Sequence, residues 1–172
     1  MKKTPPATPD APFIRPARRD DCATIRNIAR VAYSLYLSRM DREPAPMNED
    51  YEARAEEGSL YVLETAEGIL GFIVLLPEEN SLLLDNLAVS PAAQGRGYGR
   101  VLLAFAEEQA QKAGFKEITL YTNEVMTENL KLYARMGYSE TGRAVCNGYR
   151  RVFFSKKPAQ SNQKPFLFLD NS

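Results

Sequence analysis

The chain has 172 residues, 44% of them apolar, with Lys+Arg and Asp+Glu both at 22 and no histidine at all. That length and apolar content suit one domain with a sizeable core, and the balanced charge lacks the basic excess of a nucleic-acid binder. Without histidine there is no Ser-His-Asp triad, no Cys-His pair and no H-E-x-x-H zinc site, so proton transfer near neutral pH falls to a carboxylate, a tyrosine, a lysine, a cysteine or water.

Cys22 and Cys146 lie far apart and neither belongs to a C-x-x-C pair, which argues against a metal site or a disulfide framework. No run of about 18 apolar residues occurs, so no membrane span is expected. Lys2 and Lys3 resemble the start of a secretory leader, but Pro5, Pro6, Pro9 and Pro12 stand where an apolar stretch must follow. The expectation is a cytoplasmic protein with no metal, no nucleic-acid partner and no membrane partner.

Residues 1–11 are Pro-rich and polar and read as a flexible leader. A single domain is expected over 12–157, with a tail over 158–172. Phe13 to Arg15 reads as a first strand. Asp20 or Asp21 offers a helix N-cap, and Ile25, Ile28, Ala29, Ala32 and Tyr36 follow at helical spacing, predicting a helix to about Arg39. Asn48 is placed to cap a second helix ending near Gly58. Leu60 to Thr65 and Ile69 to Leu76 flank Glu67-Gly68 as a hairpin. Leu82 to Val89 is apolar enough for a central strand. A glycine-rich turn from Gln94 to Gly99 leads into a helix over 97–112, with Val101, Leu102, Phe105 and Ala106 as its buried stripe and Gly114 as its stop. Glu117 to Thr122 reads as a strand, Thr127 to Met136 as a short helix, and Tyr138 to Val145 with Tyr149 to Ser155 as a hairpin around Asn147-Gly148. The strand-helix-strand unit from 82 to 122 predicts a parallel pair inside a mixed sheet. The expected fold class is therefore α/β, with a central mixed sheet of about seven strands flanked by about four helices.

Gln94-Gly95-Arg96-Gly97-Tyr98-Gly99 sits between a buried strand and an amphipathic helix. At such a place free N–H groups and the helix dipole attract an anion, and glycines clear its approach. No Ser, Thr, Asp or Asn at 94–99 caps the helix, so a bound pyrophosphate would supply the missing acceptor. Arg96 and Arg100 add positive charge that otherwise opposes the dipole. The spacing fits neither a P-loop nor a dinucleotide fingerprint. Taken alone, the turn also fits a tight structural turn without a ligand.

Gln94, Gly97 and Gly99 match the [QR]-x-x-G-x-[GA] signature of the GNAT superfamily of acyl-CoA-dependent N-acetyltransferases, and over residues 13–155 the chain resembles that family. The preceding Leu87-Ala88-Val89-Ser90-Pro91 looks like the family's fourth strand. A second motif follows in order: Asn129, Leu132-Tyr133, then Gly137-Tyr138. The resemblance implies acetyl-CoA as co-substrate, no metal, and transfer of acetyl to a primary amine by direct attack in a ternary complex. It implies that the fourth strand and its parallel neighbour splay to admit the pantetheine arm, held through Leu87, Ala88 and Val89. The pyrophosphate would lie on Gln94, Gly95, Arg96, Gly97, Tyr98, Gly99 and Arg100, with Asn129 near the pantetheine. Tyr133 would protonate the departing thiolate.

The residues alone leave alternatives. Tyr133 and Asn129 share a helix face at four apart, yet Tyr133 also suits a core aromatic and Asn129 an exposed helix position. Asp85 interrupts an apolar strand, where burial would raise its pKa toward that of a general base; an Asp bonding nearby backbone amides fits equally. Asp41, Glu43, Glu49, Asp50 and Glu52 with Tyr33, Tyr36 and Tyr51 would make an acidic, aromatic rim suited to a cationic amine, or a solvated loop. The apolar Phe166 to Leu169 should pack on the domain or on a second copy in a homodimer. A non-catalytic acyl-CoA-binding sensor of the same fold is the competing function. The amine acceptor is not identified by any motif.

Overall fold

Seven extended segments build one mixed sheet, and the computed structural model describes residues 11–159 of the chain. The expected leader (apart from residue 11) and the apolar Phe166 to Leu169 lie outside the described residues. The strands are β1 (Phe13–Pro16), β2 (Leu60–Thr65), β3 (Gly68–Pro77), β4 (Ser81–Val89), β5 (Glu117–Asn123), β6 (Ser139–Cys146) and β7 (Tyr149–Lys156). They lie in the order β1-β2-β3-β4-β5-β7-β6. All neighbours are antiparallel except β4 and β5, which are parallel. That pair is joined by a crossover helix, as the strand-helix-strand pattern predicts.

Four helices cover the sheet: α1 (Cys22–Ser34), α2 (Tyr51–Glu56), α3 (Tyr98–Ala113) and α4 (Thr127–Arg135). α1 stops five residues before the expected Arg39. The chain instead tightens through i→i+3 bonds, Tyr36 N–H to Tyr33 C=O and Arg39 N–H to Tyr36 C=O, each 3.0 Å, which keeps Tyr33 and Tyr36 both inside. Asp21 stands at the N-cap of α1 but makes no cap bond into it; its carboxylate accepts from Arg18 N–H at 2.7 Å and pairs with Arg15. α2 is capped by Asp50, whose side chain accepts from Ala53 N–H at 3.0 Å, and not by Asn48. Asn48 is drawn instead to Glu43 at 2.9 Å. In α3 the buried stripe is Leu102, Leu103, Ala106 and Ala110, while Val101 and Phe105 are only partly buried.

Two apolar layers result. One lies under α3 and α4 and takes Ile73, Leu75, Leu82, Leu84, Ile118, Leu120, Val152 and Phe154 from the sheet. The other lies under α1 and α2 and takes Val62, Phe72, Val74 and Ala88. Each fully buried aliphatic or aromatic side chain contributes about 1.5–3 kcal/mol relative to exposure, so both layers are needed to hold the sheet.

β4 changes sides partway along. Its register against β3 runs Leu75 to Leu84 and then Val74 to Asn86, leaving Asp85 as the extra residue of a β-bulge. Before the bulge, Leu82 and Leu84 face the α3 layer; after it, Leu87 and Val89 face that layer and Ala88 the α1 layer. Pairing of β4 with β5 covers only Ser81–Leu84 against Glu117–Leu120. Beyond the bulge the two parallel strands are no longer paired. No helix among the described residues is long and apolar enough to cross a membrane.

Candidate active site

The unpaired end of β4 runs directly into the glycine-rich turn, and the two together line one cleft. Its wall includes Leu87, Ala88, Val89, every residue from Gln94 to Arg100, and Asn129 and Leu132 from α4. Gly97 occupies the N-cap of α3 at φ 86° with no side-chain cap bond, and Gly95 has φ 83°. L side chains adopt that region at a cost. A Cβ built at Gly95, Gly97 or Gly99 would meet nothing within 4 Å, so the turn is open on its outer side. The first N–H groups of α3 have no intrahelical acceptor and face that opening with the positive end of the helix dipole. These features suit an anion such as a diphosphate, and the edge of Leu87 to Val89 left unpaired by β5 suits an added extended chain.

Arg96 is drawn across to the β2–β3 turn, where its Nη1 lies 2.6 Å from Glu67. Gln94 Nε2 donates to Val89 C=O at 3.3 Å and so braces the turn against β4. Asn129 Nδ2 lies 3.4 Å from Thr122 Oγ1, which ties α4 to the end of β5 while leaving the residue in the cleft wall.

A second cavity, of about 210 Å³, opens on the α1 face of the sheet beside Asp85. Asp85, Asn86, Tyr121, Tyr149 and Arg151 rise from β4, β5 and β7, and Met40, Pro44, Pro46 and Glu49 cover them. The covering segment is held by the β6–β7 hairpin: Arg42 donates to Asn147 C=O at 2.9 Å, and Tyr149 hydroxyl donates to Glu43 C=O at 2.8 Å. Asn147 and Gly148 both have positive φ, as an Asn-Gly hairpin turn requires.

Tyr33 belongs to both walls. It is buried, and its hydroxyl lies 3.0 Å from Asn86 Oδ1 and 3.0 Å from Leu87 C=O. Asn86 Nδ2 donates onward to Tyr51 hydroxyl at 3.0 Å, which donates to Pro46 C=O at 2.6 Å. A buried polar chain therefore runs from the cleft strand to the cover of the second cavity. Burial, followed by the neighbouring phenols led by Tyr133, pushes the Tyr33 hydroxyl well above the usual tyrosine range. Burial also raises Tyr51, with the Asn86 hydrogen bond opposing it.

Asp85 is half-buried and accepts from Tyr121 hydroxyl at 2.6 Å. Burial and this bond hold the Tyr121 phenol protonated. Tyr133 does not stand in either wall. It is 5% exposed, with its ring against Tyr138 and Phe154 in the α3 layer, and burial raises its pKa above the usual tyrosine value.

Of the five acids in the expected rim, Glu49 is the one in the cavity wall. It faces Arg54 at 3.3 Å, Glu52 pairs with Arg26 at 2.6 Å and Asp50 caps α2. Tyr33, Tyr36 and Tyr51 are buried, with Tyr33 in both walls and Tyr36 in that of the first cleft, and do not form an exposed rim with the acids. Sequence reasoning missed Asn86, Tyr121, Tyr149 and Arg151. The signal for Tyr121 was present, because Thr119, Tyr121 and Asn123 alternate with the buried Ile118, Leu120 and Thr122. Arg151 follows the same rule between Tyr149 and Phe153 on β7. Among the described residues, no group of three or more His, Cys, Asp or Glu could hold a metal ion.

Comparison with known proteins points to the same family as the two motifs. Residues 56–140 match the family model described as an acetyltransferase (GNAT) domain. The Escherichia coli N-acetyltransferase YjgM is 26% identical over 151 residues, covering 82% of this chain and 90% of that protein. N-acetyltransferase family 8 member 3 of Rattus norvegicus is 33% identical over 88 residues, 48% of this chain but 39% of its own length. Among solved structures, the PaiA N-acetyltransferase of Thermoplasma acidophilum in complex with coenzyme A superposes with a TM-score of 0.73 at 19% identity, over 86% of this chain and 99% of that one. In motif, in fold and in the matched domain, the chain resembles the GNAT superfamily of acyl-CoA-dependent N-acetyltransferases.

Proposed function

We propose that the chain is an N-acetyltransferase that moves an acetyl group from acetyl-CoA to a primary amine by direct attack within a ternary complex. The observation that carries this reading is the junction at Tyr33, where a cleft with an uncapped helix end and an unpaired strand edge meets a second cavity holding a carboxylate. Acetyl-CoA supplies the thioester carbonyl. Leu87, Ala88 and Val89 offer backbone groups to its arm, and the turn from Gln94 to Arg100 offers N–H groups and charge to its diphosphate. Asn129 lines the same path.

An amine with an ordinary pKa of about 10.4 is mostly protonated near pH 7. Asp85 takes that proton directly or through water. The amine nitrogen then forms the new N–C bond and the C–S bond breaks; Tyr133, not itself in the cleft wall but close enough behind it to act on the phenols of Tyr33 and Tyr36, is the residue proposed to return a proton to the departing sulfur. Holding amine and thioester together supplies much of the acceleration, because effective molarities for well-oriented groups are large.

The test is calorimetric titration of the full chain with acetyl-CoA, followed by thiol release against a panel of primary amines. Binding with release is expected. No acetyl-CoA binding overturns the reading, and binding without release on any amine favours an acyl-CoA-binding module. Asp85→Asn should lower kcat about 100-fold with the Kd for acetyl-CoA unchanged; an unchanged kcat rules Asp85 out as the base.

A further inference from the structure

The second cavity carries two opposite charges that do not meet. Glu49 and Arg54 lie close enough to offset one another there, and Arg54 also reaches Glu57 at 3.1 Å. Asp85 and Arg151 remain. Neither has an ion-pair partner among the described residues. Tyr121 holds them apart: its hydroxyl is 2.6 Å from Asp85 Oδ1, and the Arg151 guanidinium carbon stands 4.1 Å from its ring centroid. Carboxylate and guanidinium thus meet the same phenol, one at its hydroxyl and one over its ring, with both side chains in the cavity wall.

From this arrangement we infer that the acceptor is a zwitterionic amino acid, its amine at Asp85 and its carboxylate on Arg151. The inference rests on the acyl-transfer reading and names its substrate class. A half-buried arginine without a carboxylate costs desolvation that a cationic or neutral amine leaves uncompensated. A free amino acid matches both charges at once. Guanidinium presents a planar fork of donors that suits a carboxylate, and its position over the Tyr121 ring holds it beside Asp85's partner. Met40, Pro44, Pro46 and Met126 give the rest of the wall an apolar character, which suits a medium-sized apolar side chain. A lysine side chain or a protein N-terminus has no carboxylate beside its amine and leaves Arg151 unanswered. The product is the N-acetyl amino acid and free coenzyme A, with the amine proton leaving by way of Asp85 and the thiolate taking one in return.

The experiment uses matched pairs: L-leucine against 3-methylbutylamine and L-leucine methyl ester, and L-methionine against 3-(methylthio)propylamine. Thiol release should favour each amino acid over its decarboxylated partner by about 10- to 100-fold in kcat/KM, the range of a charge-assisted hydrogen-bonded pair. In Arg151→Gln that preference should collapse through a higher KM for the amino acid, with the KM for acetyl-CoA unchanged, which also reports that the variant is folded. Arg151→Lys should recover part of the preference, since it keeps the charge and loses the fork. Equal or better turnover of the amines or the ester overturns the zwitterion inference and leaves the transferase standing. So does a preference that survives Arg151→Gln. Acetyl-CoA binding without release on any of these compounds, and no calorimetric binding of leucine or methionine in the presence of coenzyme A, overturns the inference as well. Failure to bind acetyl-CoA removes the transferase reading beneath it.

Discussion

Removing the hydroxyl of Tyr33 tests the link between the two cavities. Tyr33→Phe keeps the ring volume, so no packing void forms. The hydroxyl carries one proton for two acceptors, Asn86 Oδ1 and Leu87 C=O, each at 3.0 Å. One net hydrogen bond of about 1 kcal/mol is therefore lost. Asn86 is 4% exposed, so its carbonyl oxygen is left buried without that donor, and an unsatisfied group of this kind costs about 1–3 kcal/mol. The expected destabilisation is about 1–3 kcal/mol in total, because relaxation around Asn86 offsets part of the penalty. Urea denaturation should show a lower midpoint at unchanged m, and the melting temperature should fall by about 2–4 °C per kcal/mol for a chain of this size. A double-mutant cycle with Asn86→Ala should return a coupling of at least about 0.5 kcal/mol. The KM values for acetyl-CoA and for the acceptor should both rise, since one residue lines both walls. Stability within about 0.5 kcal/mol of the parent, together with additive behaviour in the cycle, would refute the linkage.

Three further outcomes follow from the geometry. Gly97→Ala should raise the Kd for acetyl-CoA about tenfold by calorimetry: a Cβ there meets no atom within 4 Å, so the change acts through backbone strain of about 1–2 kcal/mol at φ 86° and through the obstructed anion path, and an unaltered Kd would contradict this. Tyr133→Phe should lower kcat about 100-fold by a factor that stays constant from about pH 6 to 10, because burial keeps the phenol protonated above the usual tyrosine pKa of about 10; a factor that varies across this range means Tyr133 titrates there. Asp21 is held below its ordinary pKa of 3.8 chiefly by its hydrogen bond from Arg15. The unfolded chain therefore takes up that proton first as pH falls, so the stabilisation is complete above about pH 4 and is lost below it. Asp21→Asn should flatten the fall in stability on the acid side of pH 4 in urea titrations, and identical slopes would show that the pair is not responsible.

The strand-helix order was legible because its signals are local. Apolar periods mark strands such as β2 and β5 and helices such as α1 and α3, and Gly114 and Asn147-Gly148 mark turns; β6, exposed along most of its length, is marked only by the Asn-Gly turn that follows it. That Leu87 to Val89 and Gln94 to Arg100 would line one cleft was legible for the same reason, since they lie close together in one stretch. The bulge was not foreseen, although its trace is visible: Asp85 breaks an apolar strand at the residue where β4 changes faces. The length of α1 was overestimated because Tyr36 satisfies helical spacing while its backbone bonds follow an i→i+3 pattern. The acidic stretch from Asp41 to Glu52 suggested a binding rim, but pairing with Arg26 and Arg54 and the capping of α2 use most of its charge locally. Charge counts along a chain do not show which carboxylates are already partnered. Arg151 was passed over because nothing adjacent in sequence distinguishes it from Arg150, which faces solvent and pairs with Glu124 at 3.3 Å.

The two cavities also differ in how they are encoded. The first cleft is written mostly in one stretch after the bulge, whereas the second cavity is assembled from Tyr33 and four further segments around residues 40–54, 85–86, 121–126 and 149–151. A substitution at Met40, Tyr121 or Arg151 alters the second cavity without touching a residue of the first, whereas one at Tyr33, or at Asn86 bonded to it, reaches both. Under the proposed function, a laboratory library that spares Tyr33 and Asn86 would vary the second cavity while leaving the first cleft intact.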